Sequence, residues 1–151
     1  MRPFKHTRAV TREDVHLGMA FIQIADWLLT TAEQHTNLRL LTDQLIGKLR
    51  AAGVPIVRVN LGVFALHPEI AGYAVLWDES MSKALELPIS REDTLTSTYL
   101  QSPIRALVRD RERLRFPLED PEAGPEFPVL NEFRAAGHTD YAGFPIPYGG
   151  D

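Results

Sequence analysis

Cysteine is absent from the 151 residues. Its absence excludes a disulfide framework, thiolate metal sites and a cysteine nucleophile, and it suits a reducing compartment. Long apolar runs are missing as well. The greasiest stretch, Met19 to Leu29, is broken by Gln23 and Asp26 and is too short to cross a bilayer. The opening MRPFKHTRAVTRED is charged and has no apolar core of the kind a secretory signal needs. These absences together lead us to expect a cytoplasmic chain with no membrane partner. An excess of positive charge is also lacking. Lys and Arg number 16 against 20 Asp and Glu, a formal net charge of -4, which leaves no footprint for a nucleic acid. Arginines do gather at 105, 109, 111, 113 and 115, but Asp110, Glu112, Glu119 and Asp120 are interleaved with them, the pattern of a solvated face.

Catalytic signatures are equally sparse. No glycine-rich phosphate loop occurs, because Gly149-Gly150 reads as a turn. No G-x-S-x-G elbow presents a serine, and Ser90, Ser97 and Ser102 read as caps and loop residues. The carboxylate groups Glu13 with Asp14, and Glu119, Asp120 and Glu122, lie in polar sequence surroundings without the apolar flank that acid catalysis needs. Five histidines are present, none paired at metal-ligand spacing on a predicted helix. His67-Pro68-Glu69 and His138-Thr139-Asp140 could meet in space, giving a small metal-assisted enzyme with a His67/His138/Asp140 site. The blander alternative has His138 completing a helix end and His67 bonding its own turn.

What the chain does contain is enough apolar content, 44%, for one domain with a real core. Residues 1–10 read as a flexible arm and residues 11–151 as a single domain. Thr11 to Asp14 is a capping signal. After it Val15, Met19, Ile22, Ala25, Leu29 and Ala32 recur at helical spacing, and Leu17, Phe21, Ile24, Trp27 and Leu28 widen the stripe to most of the circumference. A helix that apolar must lie under the rest of the domain or pair with another chain. Thr36 or Asn37 caps a second helix with Leu38, Leu41, Leu45 and Leu49 inward, stopped by Gly53 and Pro55.

From Val57 the period changes to two. Val57, Val59, Leu61, Val63 and Ala65 alternate with outward residues, and Tyr73, Val75 and Trp77 follow as the second arm of an antiparallel hairpin. Leu85 to Ile89 is a candidate strand. Ser102-Pro103 opens a helix, and Leu114, Phe116 and Leu118 suggest another strand. Phe127 to Ala136 is a short helix stopped by Gly137, and Tyr141 to Pro147 a last strand whose prolines suit an edge.

Three groups of segments together resemble a known family. They are Ile24-Ala-Asp-Trp-Leu-Leu29 with Leu49-Arg-Ala-Ala-Gly-Val-Pro55 and Arg58-Val-Asn-Leu-Gly62; Leu66-His-Pro-Glu-Ile-Ala-Gly-Tyr73 with Trp77; and Phe127 to Gly137 with Thr139-Asp-Tyr141 and Pro145-Ile-Pro147. They are similar to the N-terminal regulatory segment of proteobacterial class III adenylate/guanylate cyclases. The resemblance implies an α+β, GAF-like fold, with a central antiparallel sheet, N-terminal helices packed on one face and ligand-covering loops on the other. It also implies a fold that stops short at the Tyr148-Gly-Gly-Asp151 turn, with no catalytic domain and no catalytic residue to carry over. The function so implied is a non-catalytic sensory and dimerisation module. Tyr73, Trp77, Tyr99 and Tyr141 would line a small-ligand pocket, with His67 or Arg105 orienting a polar group; no cofactor is assigned. A homo-oligomer is expected, through the N-terminal helix, an open sheet edge, or both. A pure dimerisation element without ligand is the simpler variant.

Overall fold

The structure, a computed structural model, describes residues 11–31, 37–65, 67–124 and 126–146. The expected N-terminal arm and the closing Tyr148-Gly-Gly-Asp151 turn lie outside these residues. Helix α1 (Arg12–Thr30) starts where its capping signal requires. The Thr11 hydroxyl accepts the Asp14 N–H at 3.1 Å, and the Asp14 carboxylate accepts the Thr11 N–H at 2.8 Å, so two otherwise orphaned donors are satisfied reciprocally. Helix α2 (Leu38–Ala51) is capped by Asn37, whose side chain accepts the Leu40 N–H at 2.9 Å. Gly53, at φ +88°, makes the left-handed exit that a side chain would resist.

Strands β1 (Arg58–Phe64), β2 (Ile70–Asp78) and β3 (Leu85–Ser90) form one sheet in that order. The Ala65 N–H donates to the Ala71 carbonyl near the hairpin's closed end, and the Glu79 N–H to the Val57 carbonyl near its open end, both at 3.0 Å. Pairing that runs in opposite directions along the two arms is the antiparallel arrangement read from the alternation. Beyond β3 come a single 3-10 turn (Asp93–Leu95), α3 (Ser97–Leu100) and α4 (Pro103–Asp110). Next are β4 (Leu114–Pro117), α5 (Pro128–Ala135) and β5 (Asp140–Gly143). β4 and β5 pair antiparallel, with Leu114 opposite Gly143 and Phe116 opposite Tyr141. The architecture is thus mixed α+β with two small antiparallel sheets.

The expected single central sheet is replaced by this division, and proline accounts for part of it. Pro117 ends β4 and Pro145 follows β5 closely; neither can donate a ladder hydrogen bond. The last strand accordingly closes at Gly143, with residues 144–146 outside it; Pro147, the expected end, lies outside the described residues.

Two compact units result. The first takes the described residues up to Val63 together with Tyr73–Leu87; the second takes Phe64–Gly72 and the described residues from Pro88 onward. The core of the first is Ile46, Val75, Trp77 and Ala84, with Leu38, Ile56, Val59, Leu61 and Met81 packed around it. Asp43 ties α2 to the approach of β3 by accepting the Ala84 N–H at 2.7 Å. The inner face of α2 is turned by about one position from the leucine line. Thr42 and Ile46 are its buried residues, and the Thr42 hydroxyl escapes the cost of burial by donating to the Leu38 carbonyl at 2.8 Å.

The core of the second unit is Ala106, Leu118, Phe127 and Leu130, ringed by Leu114, Phe116, Val129, Phe133 and Tyr141. Ser102 caps α4 by accepting the Arg105 N–H at 3.2 Å. Gly143 lets β5 come close to α4, since a Cβ there would stand 2.7 Å from Leu107 Cδ1.

Candidate functional site

The six residues expected to form a ligand pocket are divided between the two units. Tyr73 is an exposed residue of β2, whereas Trp77, two residues on, is 8% exposed in the first core with the Arg50 guanidinium 5.4 Å from its ring. The remaining four belong to the second unit. Tyr141 packs between Phe116 and Phe133, at centroid distances of 6.1 and 6.2 Å, and burial raises its phenol above the ordinary tyrosine range. Tyr99 is half-buried on α3 and Arg105 half-buried on α4. His67 is exposed, and its Nδ1 accepts the Glu69 N–H at 3.2 Å, the local turn bond anticipated for it. Packing therefore occupies Trp77 and Tyr141 in separate cores.

His67, His138 and Asp140 do not assemble as metal ligands. Among the described residues no group of three or more His, Asp or Glu side chains is placed to hold an ion. Local partners occupy each of the three. The His138 ring lies 5.7 Å from that of Phe133, and its N–H closes the end of α5 on the Phe133 carbonyl at 3.0 Å. Asp140 receives the Arg115 guanidinium at 2.6 Å, an exposed pair across the β4–β5 ladder.

Two arginines missed by the sequence reading fix loops by gripping main-chain carbonyls. Arg91 donates to the Pro68 and His67 carbonyls, 2.7 and 2.5 Å away. Arg134 donates to the carbonyls of Leu118 and Asp120, at 3.2 and 3.1 Å, and also to that of Ala123. An arginine paired with a distant backbone oxygen carries no local sequence pattern that would reveal it.

The feature that packing leaves unexplained is α1. Its inward side is narrow: Ile24 is buried, and Trp27 is half-buried beneath Lys48 of α2, whose Nζ stands 4.8 Å from the ring. At 100° per residue, Val15, Ile22 and Leu29 lie roughly 180°, 160° and 140° around the helix from Ile24. They are 55%, 64% and 75% exposed, and Met19 beside them is 54% exposed. A shallow groove of about 410 Å³ runs along this helix, lined by Val15, His16, Met19, Ala20 and Gln23. A second, of about 240 Å³, lies between Ala20, Gln23 and Ile24 of α1 and Lys48, Ala51 and Ala52. Val15, Met19, Ile22 and Leu29 thus leave α1 with an exposed apolar face. Among the described residues no helix is long and apolar enough to cross a membrane. The chain matches no family model, no curated protein and no solved structure.

Proposed function

We propose that this chain is a non-catalytic regulatory module that acts by self-association, of the GAF-like kind that cyclases carry ahead of a catalytic domain. The observation that carries this reading is the exposed apolar face of α1, which needs a cover in water. The resemblance of the three groups of segments supports the cyclase-type placement, and the lack of cysteine suits a cytoplasmic setting. A small ligand would act by binding one arrangement of the paired protomers better than another, since only such a difference can shift their balance.

Light scattering on the full chain at micromolar concentration tests the association directly. A dimer or larger closed oligomer is expected; a monodisperse monomer overturns the proposal. A thermal-shift series with cyclic nucleotides and small metabolites then separates a ligand-responsive module from a bare dimerisation element. In that series a midpoint that rises with ligand concentration marks the sensor.

A further inference from the structure

Four of the described strands lie at a sheet edge, β1 and β3 in the first sheet and β4 and β5 in the second. Three of them carry proline, which cannot donate to a neighbouring strand: Pro88 in β3, Pro117 in β4 and Pro145 two residues beyond β5. β3 adds the exposed charge of Glu86. β1 has no such guard. From Val59 to Phe64 it holds neither proline nor charge, and Asn60, Gly62, Val63 and Phe64 are exposed. We infer that the open edge of β1 pairs antiparallel with β1 of a second copy, about a two-fold axis at Leu61. This rests on the self-association reading and gives it a contact that does not involve α1.

The register follows from the hairpin. The Ala65 N–H donates to Ala71 at its closed end and the Glu79 N–H to Val57 at its open end, eight residues along on either arm, so the pairing between them is continuous. Val59, Leu61 and Val63 therefore turn their main-chain groups toward Trp77, Val75 and Tyr73 of β2. Asn60, Gly62 and Phe64 turn theirs the other way, where among the described residues no strand lies. Only residues of this second set bond across the edge. In an antiparallel pair centred on Leu61, Asn60 exchanges both main-chain hydrogen bonds with the partner's Gly62, and Gly62 does the same with the partner's Asn60. A slip of one residue sets outward groups opposite inward ones and forfeits every bond. A slip of two leaves the strand ends without a counterpart.

The side chains suit this arrangement. A two-fold axis perpendicular to the sheet keeps both core faces on the same side. Val63, exposed beyond the first core, gains the partner's Val59 as a cross-strand neighbour, and Leu61 gains the partner's Leu61. On the other face Gly62 leaves room for the partner's Asn60, since a Cβ at Gly62 would meet nothing within 4 Å. Arg58, the ionisable residue of the strand, lies opposite the partner's Phe64, so no like charges face each other. A parallel pair needs its axis along the strands, which turns one sheet over and sets the Leu61 face beside the Asn60 face. Antiparallel pairing joins two three-stranded sheets into one that ends in β3 at both borders. Pro88 and Glu86 guard those borders, so the assembly closes as a dimer and does not grow into fibres.

The test uses the full chain, whose lack of native cysteine makes any disulfide unambiguous. Asn60→Cys and Gly62→Cys fall at exposed positions outside the first core. Under mild oxidation a mixture of the two is expected to give the mixed disulfide dimer, because directly opposite Cα atoms stand about 5.5 Å apart. Each variant alone is expected to link poorly, since like positions then sit on a diagonal about 7–8 Å apart, past the reach of a disulfide. Gly62→Pro removes one donor on each side of the axis. With circular dichroism unchanged, it is expected to weaken association about 25-fold, at about fivefold for each hydrogen bond. The cross-linking readout stands by itself if that variant fails to fold. A dimer in which each cysteine variant links to itself as readily as the mixture overturns the edge pairing while sparing the regulatory reading. A folded Gly62→Pro dimer as tight as the wild type does the same. A wild-type monomer overturns both.

Discussion

Replacing Leu130 by alanine tests the second core at its centre, because that side chain is fully buried against Phe116, Phe127 and their neighbours. Three carbon atoms are lost, worth about 2.4 kcal/mol of transfer free energy at 0.8 per methylene. A partly relaxed cavity adds about 1 kcal/mol, giving a total of about 3.5 kcal/mol. Gly124 makes the prediction sharper. Its φ is +65°, and a Cβ there would sit 2.6 Å from Leu130 Cδ1 and 3.0 Å from the Phe116 ring. Gly124→Ala alone therefore incurs both the left-handed penalty of about 1–2 kcal/mol and a clash. In the Leu130→Ala background the main clash is gone, and the new methyl occupies part of the vacated space.

The double variant should accordingly be more stable than the sum of the single losses predicts, by about 1 kcal/mol or more. Urea denaturation followed by far-ultraviolet circular dichroism, run on the four proteins of the cycle, measures this coupling. Losses that add to within about 0.5 kcal/mol would refute the packing described for this corner.

Trp77→Ala empties the first core and is expected to cost about 3–5 kcal/mol; denaturation that leaves the midpoint unmoved, with every ligand response intact, would remove Trp77 from both core and pocket. Arg134→Met is expected to lose about 2–3 kcal/mol and to speed amide exchange over residues 118–124, and Arg134→Lys should not restore protection, since an ammonium cannot reproduce the planar fork. Thr11 hydrogen bonds hold the Asp14 carboxyl below the ordinary range, and hydrogen bonds from Ser80 and Ser90 do the same for Asp78 and Asp93. A depressed folded-state pKa stabilises the fold above the unfolded value of about 3.9, and that stabilisation is lost as pH falls through the folded values. Stability should therefore drop on acidification below about pH 4, and Asp14→Asn should abolish the part belonging to α1; a flat acid profile for both proteins would contradict the capping box.

Local punctuation was the most legible layer of the sequence. Thr11 with Asp14, Asn37, Gly53, Ser102-Pro103 and Gly137 each act over three or four residues, and each sits where its chemistry predicts. The stop of α4 was not legible, because Arg111 takes the left-handed conformation at φ 53° in a place where glycine or asparagine would have announced it. Alternation correctly marked β1 and β2, and Leu114 and Tyr141 as strand residues. It could not say that β4 and β5 pair with each other across the length of α5, since partner choice depends on contacts distant in sequence. The aromatics shared that limit: Trp77 and Tyr141 have the same composition signal whether they line one space or centre two cores. The apolar breadth of α1 was legible but its exposure was not: the pattern equally allowed the helix to lie under the rest of the domain, whereas only Ile24 is buried among its described side chains.

Cations two residues apart on α2 stand over the two indoles of the chain, Lys48 over Trp27 and Arg50 over Trp77. That placement equips the protein with a built-in optical gauge. If α1 lifts from α2, Trp27 exchanges an ammonium for water and its emission moves to the red, while the buried Trp77 keeps its colour as an internal standard. Rearrangement of the first helix can thus be followed without a dye, label or engineered residue.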